Sequence, residues 1–228
     1  MEITWLGHSC FRLRQDDAVF ITDPFPPSLG LAMEAGQAVA VTVSHDHPNH
    51  AHVSGVGGRP KVFYGPGEYE IQGVYIRGVL TPPADSDPAD RRNTAYIFEI
   101  GGVTLCHLGD LTSPITASVA AELDPCDVLL VPAGGGCTLA VSQVAELVQS
   151  VGPRLVIPMH YKIRGLSIEL GTLDPFLREM GVREVQPQAR LVATPTNLPA
   201  ETRVVVLEAQ AMPVEVPDVS EDAPAEGF

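Results

Sequence analysis

Basic residues are scarce in this sequence. Lys and Arg together number 14 against 28 Asp and Glu, for a formal net charge of −14. Polyanion binding rests on clustered Lys and Arg, so nucleic acid is not expected as a partner. Cysteine is scarce too: Cys10, Cys106, Cys126 and Cys137 form neither a Cys-x-x-Cys pair nor a dense disulfide framework. Three of the four lie in or beside apolar runs, as buried reduced thiols do. No segment approaches the roughly 18–20 apolar residues needed to span a bilayer. The first ten residues have neither the basic start nor the apolar stretch of a secretory signal. No internal repeat is present. These absences point to a cytoplasmic protein with no membrane partner, and they leave the oligomeric state open.

What is present is globular: 228 residues, 45% hydrophobic and 18% charged, enough for one full core and short for two. The 21 Gly and 21 Pro imply many turns between short strands. Apolar alternation predicts strands at 2–6, 10–14 and 18–22, a buried strand at 38–44, and further strands at 61–65 and 71–80. A hairpin over 94–107 is expected around Gly101 and Gly102. Beyond it, helical stretches near 115–123, 139–151 and 173–180 alternate with strands at 128–132 and 155–158, and a last strand is predicted at 203–208. Strands apolar on both faces need cover on both sides, so the expected class is α/β, two sheets with helices outside. Residues 1–210 are assigned to one domain, and 211–228 to an acidic tail without fixed structure.

The chemistry concentrates in one loop. His45, His47 and His50 fall within six residues, directly after the buried strand. Loops at strand C-termini are where α/β proteins place reactive groups, and neutral imidazole is a common ligand of first-row metals. Asp110 and His160 also sit just past predicted strand ends. A carboxylate can bridge ions, and a further histidine can complete a coordination set. His8 follows a strand and a glycine, so it either lines such a site or caps the turn. Tyr161 and Lys162, next to His160, could offer a donor and a cation to a substrate anion.

In order and spacing these residues resemble the metallo-β-lactamase superfamily: Asp23 and Pro24, then His45, His47, Asn49 and His50, then Gly109 and Asp110, then His160. The opening Trp5, Leu6, Gly7, His8 and Ser9, the run from Gly65 to Glu70, and the ending Pro158, Met159, His160, Tyr161 and Lys162 narrow the resemblance. They are similar to small bacterial and archaeal metal-dependent hydrolases related to the ascorbate-6-phosphate lactonase group. The resemblance implies an αββα four-layer sandwich with the site at one edge. It also implies hydrolysis of an ester, lactone or phosphoester in a small, anionic substrate by metal-activated water. Metal ligands would be His45, His47, His50, Asp110 and His160. Zinc is favoured because the ligands are mostly imidazole, with manganese and iron as alternatives. Catalytic roles fall to Asp110, with His8 or Tyr161 as proton donor. Asp23, at the matching position, would orient the histidine loop. Glu68, Asn93 and Lys162 would contact substrate. The sequence departs from the pattern twice. Asn49 stands where the family's loop has Asp, and the loop before the central hairpin, Thr81 to Asp87, has no histidine; Asp85 or Asp87 is a candidate replacement. One ion rather than two is therefore expected, and a non-catalytic member that binds a ligand or partner is the alternative.

Overall fold

The computed structural model describes residues 1–82 and 92–214. The chain opens as a meander of β1 (Glu2–Gly7), β2 (Cys10–Gln15) and β3 (Ala18–Thr22). Side chains alternate across these strands. Ile3, Trp5, Phe11, Leu13 and Phe20 join the main core, while Leu6, Cys10 and Ile21 join a second cluster on the opposite face. There follow β4 (Leu31–Ala32), β5 (Ala40–Val43), β6 (Lys61–Tyr64), β7 (Gly67–Ile71) and β8 (Val74–Leu80). β9 (Thr94–Ile100) and β10 (Val103–His107) form the expected hairpin. Its two turn residues, Gly101 and Gly102, have φ of 60° and 75°, the double positive φ that glycine adopts without steric cost. The second half runs α1 (Ala117–Leu123), β11 (Val128–Pro132), α2 (Val141–Val151), β12 (Leu155–Met159) and α3 (Asp174–Glu179). The chain then adds β13 (Leu191–Val192), β14 (Arg203–Val204) and β15 (Met212–Pro213).

Two sheets result, in the orders β13-β1-β2-β3-β5-β6 and β14-β12-β11-β10-β9-β8-β7, with β15 and β4 as a separate pair. Every residue of β11 and β12 is buried, as expected of strands covered on both faces. α2 turns Val144, Ala145, Leu147 and Val148 inward and ends at Gly152, in the left-handed region at φ 64°. The outer face of the first sheet has a thinner cover. Among the described residues it is made by loops and two 3-10 turns, through Phe25, Leu29, Leu31, Ala35 and Val56. No helix of the described residues is long and apolar enough to cross a membrane.

Three differences from the sequence expectation have local causes. The last predicted strand ends at Val204, because the chain then leaves β12 and bridges Gln188 at Leu207. Two-residue strands such as β13 and β15 have no period to read. Residues 211–214, assigned to the tail, belong to the folded unit: the Ala211 amide donates to Leu6, Met212 and Pro213 pair with Ala32 and Leu31, and the Val214 amide donates to Gly30. The rest of the expected tail, 215–228, lies outside the described residues, as do Asp85 and Asp87.

Strand direction determines where chemistry can gather. β3, β5 and β6 are mutually parallel, and β10, β11 and β12 are parallel in the other sheet. β1 and β3 are both antiparallel to β2, so they share a direction. The C-terminal ends of β1, β3 and β5 therefore open on one edge, where the Ser44 carbonyl accepts the Thr94 amide of the second sheet at 2.8 Å.

Phe20 and Phe98, each almost fully buried, meet edge to face between the two sheets, with ring centroids 6.3 Å apart. Truncating a buried Phe leaves a cavity at a cost of about 3–5 kcal/mol. Phe98→Ala is expected to lower unfolding free energy by that amount in a denaturant titration; a loss below about 1 kcal/mol would show that the sheets are not held together here.

Candidate metal centre

Five of the seven histidines come together at this edge, with Asp110 at their centre. Asp110 Oδ2 lies 3.2 Å from His50 Nε2, 3.3 Å from His160 Nε2 and 3.9 Å from His45 Nε2. Two imidazole trios have ligand atoms within 4.8 Å of one another, His45 with His47 and His50, and His8 with His50 and His160. Asp110, Cys137 and His160 form a third such group. Each of these residues except Cys137 and His47 is largely or fully buried.

A second layer fixes how the rings point. Asp23, fully buried just beyond β3, accepts the Ser44 amide at 2.8 Å on Oδ1. On Oδ2 it accepts the Ser44 hydroxyl at 2.5 Å and His50 Nδ1–H at 2.9 Å. Because the Ser44 hydroxyl gives its proton to Asp23, its oxygen is left to accept from His45 Nδ1, 3.0 Å away. One carboxylate thus directs the Nε2 atoms of both His45 and His50 toward Asp110. Asn49 meets this layer through its backbone amide, which donates to His47 Nδ1 at 3.2 Å.

Asp110 is held by its own loop. Asn93 Oδ1 accepts the Asp110 amide at 3.0 Å, while Nδ2 donates to Thr81 Oγ1 and the Leu108 carbonyl. With its oxygen and both protons engaged, Asn93 positions the loop instead of meeting a substrate as expected. Gly109, at φ 58°, has no room for a side chain: a Cβ there would stand 2.3 Å from Asn93 Oδ1 and 2.5 Å from Ser44 Cβ. His107, which the sequence reading passed over, joins two turns. Its Nε2–H donates to the Ser9 carbonyl at 2.8 Å and its Nδ1 accepts the Gly109 amide at 3.2 Å, so the residues after His8 and before Asp110 share one anchor.

Two expected site residues, Tyr161 and Glu68, lie elsewhere. Tyr161 packs on Trp5 with ring centroids 5.0 Å apart and lines a cavity with Ile163, Leu173 and Leu207. Just past the end of β12 His160 takes a left-handed turn, φ 53°, and its ring stays in the site while the Tyr161 ring enters the core. Glu68 is exposed on β7, at the far end of the second sheet, beside Arg77 and Glu99. Lys162 is exposed, and its amide is tied to the Gly171 carbonyl. Gly134, in the glycine run before α2, lets the chain pass against the His160 carbonyl, which a Cβ would approach to 2.4 Å.

The electrostatics match a cation seat. Burial alone would raise the Asp110 pKa, but the adjoining His160 and His50 hold it well below the ordinary carboxylate range. His8 is pushed well below the usual imidazole value by burial and then by His50 and His160, and His45 falls to about 4, chiefly through burial. These rings keep their lone pairs. His50 differs: burial works against its charge, but the Asp110 charge and hydrogen bond, followed by Asp23, carry its pKa up to about 10. The His50 Nε2 and Asp110 Oδ2 atoms, 3.2 Å apart, thus favour positive charge between them. Among the described residues, both ring nitrogens of His8, His160 Nδ1 and Asp110 Oδ1 are buried without a hydrogen-bond partner. Such a gathering of unsatisfied polar atoms suits a site for an ion.

A pH dependence follows for chelator-treated protein. A histidine whose folded pKa is raised contributes stability that is complete below its unfolded value, near 6.5, and lost as pH rises through about 10. The depressed His8 and His45 act only on the acid side of 6.5. Between about pH 7 and about pH 9 the unfolding free energy is expected to fall by up to ~1.4 kcal/mol per pH unit. Denaturant titrations at the two pH values check this, and an equal or greater stability at the higher pH would contradict the His50 assignment.

Known proteins resemble this chain in sequence and in fold. A family model described as a beta-lactamase superfamily domain matches residues 2–160. A metal-dependent hydrolase of Carboxydothermus hydrogenoformans is 27% identical over 224 residues, covering 80% of this chain and 94% of that one. The structure of a candidate Zn-dependent hydrolase of the metallo-β-lactamase superfamily from Thermotoga maritima superposes with a TM-score of 0.75. It is 35% identical and covers 90% of this chain and 97% of that one. The fold alone is shared with CmlA, a diiron β-hydroxylase of Streptomyces venezuelae, at 13% identity and a TM-score of 0.62, covering 85% of this chain and 54% of that one. The chain described here belongs to the metallo-β-lactamase superfamily.

Proposed function

We propose that this protein is a metal-dependent hydrolase that cleaves an ester, lactone or phosphoester bond in a small anionic molecule, with one zinc ion per chain. The observation that carries the reading is the position of Asp110 Oδ2, between the Nε2 atoms of His50, His160 and His45. The names of the relatives support metal-dependent hydrolysis, and the imidazole-rich donor set supports zinc. Buried Cys10, Cys106 and Cys126 suit a reducing cytoplasm.

The ion would draw its ligands from the set His45, His47, His50, His160 and Asp110. When bound, it supplies an acidified water and polarises the scissile carbonyl or phosphoryl oxygen. The chain's own residues prepare for this. Asp23 and Ser44 hold the His45 and His50 rings with Nε2 toward Asp110, and Asn93 with Gly109 fixes the Asp110 backbone. Lys162, exposed two residues beyond His160, offers a cation to an anionic substrate. One feature favours a non-catalytic binder instead: Asn49 brings no carboxylate to the loop.

Hydrolysis of a panel of lactones, thioesters and phosphoesters, with zinc supplied, separates the two. Asp110→Ala is expected to lower turnover by more than about 100-fold, and Asp23→Asn, which acts through His50, by roughly 10–100-fold. Equal rates for wild type and Asp110→Ala, or no turnover by wild type across the panel, would remove the hydrolase reading.

A further inference from the structure

We propose that His8 is a metal ligand, completing with His50, His160 and Asp110 the seat that holds the protein's tightest ion. The inference rests on the metal-dependent reading above and assigns the ion its place within the cluster.

His8 has the geometry of a ligand and no other evident role. Its ring lies 4.5 Å from that of His160 and 4.7 Å from that of His50, each in an edge-on arrangement. Ligand atoms of the three residues fall within 4.8 Å of one another, and all three residues are buried. Three imidazoles around one ion have nitrogens separated by somewhat less than that, so a small inward movement of the rings closes the seat. Asp110 Oδ2 already stands at 3.2 and 3.3 Å from two of them. A histidine buried for packing or for a turn would hydrogen-bond through its ring. Neither His8 nitrogen has a partner among the described residues, although the residue is only 1% exposed.

The backbone is built to present this ring. His8 has φ of 51°, a left-handed conformation that non-glycine residues adopt at a cost, and such strain collects at functional positions. Its carbonyl is fixed twice, by the Trp5 indole N–H at 2.9 Å and by the His160 amide at 3.0 Å. The second bond ties one member of the trio directly to another, so their spacing does not depend on side chains alone. The opposite seat, His45 with His47 and His50, has a less buried member in His47 and shares His50 and Asp110 with the first. One ion therefore has a more enclosed position on the His8 side. Three neutral imidazoles and one carboxylate leave a divalent ion there with uncompensated positive charge, which suits an anionic substrate.

Zinc affinity by competition with a chromophoric chelator tests the assignment without recourse to activity. His8→Gly keeps a backbone able to hold positive φ while removing the ring. It is expected to weaken zinc binding by more than about 100-fold, beyond the loss typical of residues that only orient a ligand. His52→Ala, at a histidine outside these ligand groups, should leave the zinc affinity unchanged. His8→Gly binding zinc as tightly as wild type, while His160→Ala does not, would overturn the His8 assignment alone. Wild type without measurable zinc affinity would overturn the metal-dependent reading beneath it. Should His8→Gly fail to fold, anomalous diffraction from zinc-soaked wild-type crystals decides: an ion about 2.0–2.1 Å from a His8 ring nitrogen is expected, and one outside bonding distance of both nitrogens would overturn the proposal.

Discussion

A carboxylate taken out of water has to be compensated by positive charge, and Asp110 is compensated by two histidines. The compensation comes from His160 and from His50, whose charge Asp110 and Asp23 in turn favour. The other ring nitrogen of His50, Nδ1, donates to Asp23, which is fully buried. The two carboxylates and the imidazole between them form a relay whose middle member must be charged or replaced. A divalent ion beside Asp110 would offset the carboxylates more fully than a proton does, and would give one ring nitrogen of His8 a partner.

Much of the local architecture serves that constraint. Gly109 has no side chain because Asn93 and Ser44 occupy the space, and Asn93 occupies it to hold the Asp110 amide. Ser44 closes β5 and passes the orienting effect of Asp23 to His45. His107 clamps the turn after His8 to the turn before Asp110, which belong to different sheets. The sandwich brings these turns together because its parallel strands end on a common edge, and the hydrophobic core between the sheets fixes how far apart those ends stand. Fold and site are thus coupled through a few short hydrogen bonds across the sheet ends. The shared fold of a diiron β-hydroxylase shows that this scaffold does not by itself determine the reaction.

What could be read from the sequence follows the same physics. His45, His47 and His50 were legible because three ligand-type residues fall in one short loop after a buried strand. Asp110 and His160 were legible from their places just past strand ends. The alternating helices and strands of the second half were readable from period, within about two residues at most ends. The same strand-end logic applied to His8, since β1 must run parallel to β3 in a three-stranded meander, but a single histidine after a glycine gave no sign of which way its ring would turn. Tyr161 misled because the chain turns at His160, left-handed just past the end of β12, and adjacency in sequence does not carry the next ring into the site. Asn93 and His107 act through contacts between sheets, and Cys137 reaches Asp110 and His160 through a glycine loop, so none announces its role by spacing. Glu68 was placed by motif alone, and β7 carries it to the sheet's far end.

The account stands or falls on whether Asp110 and its imidazoles retain an ion. Elemental analysis of protein purified with neither added metal nor chelator measures this directly. About one divalent first-row ion per folded chain is expected, zinc foremost. Folded protein that carries none, and takes up none when zinc is offered at a modest excess, would contradict the account.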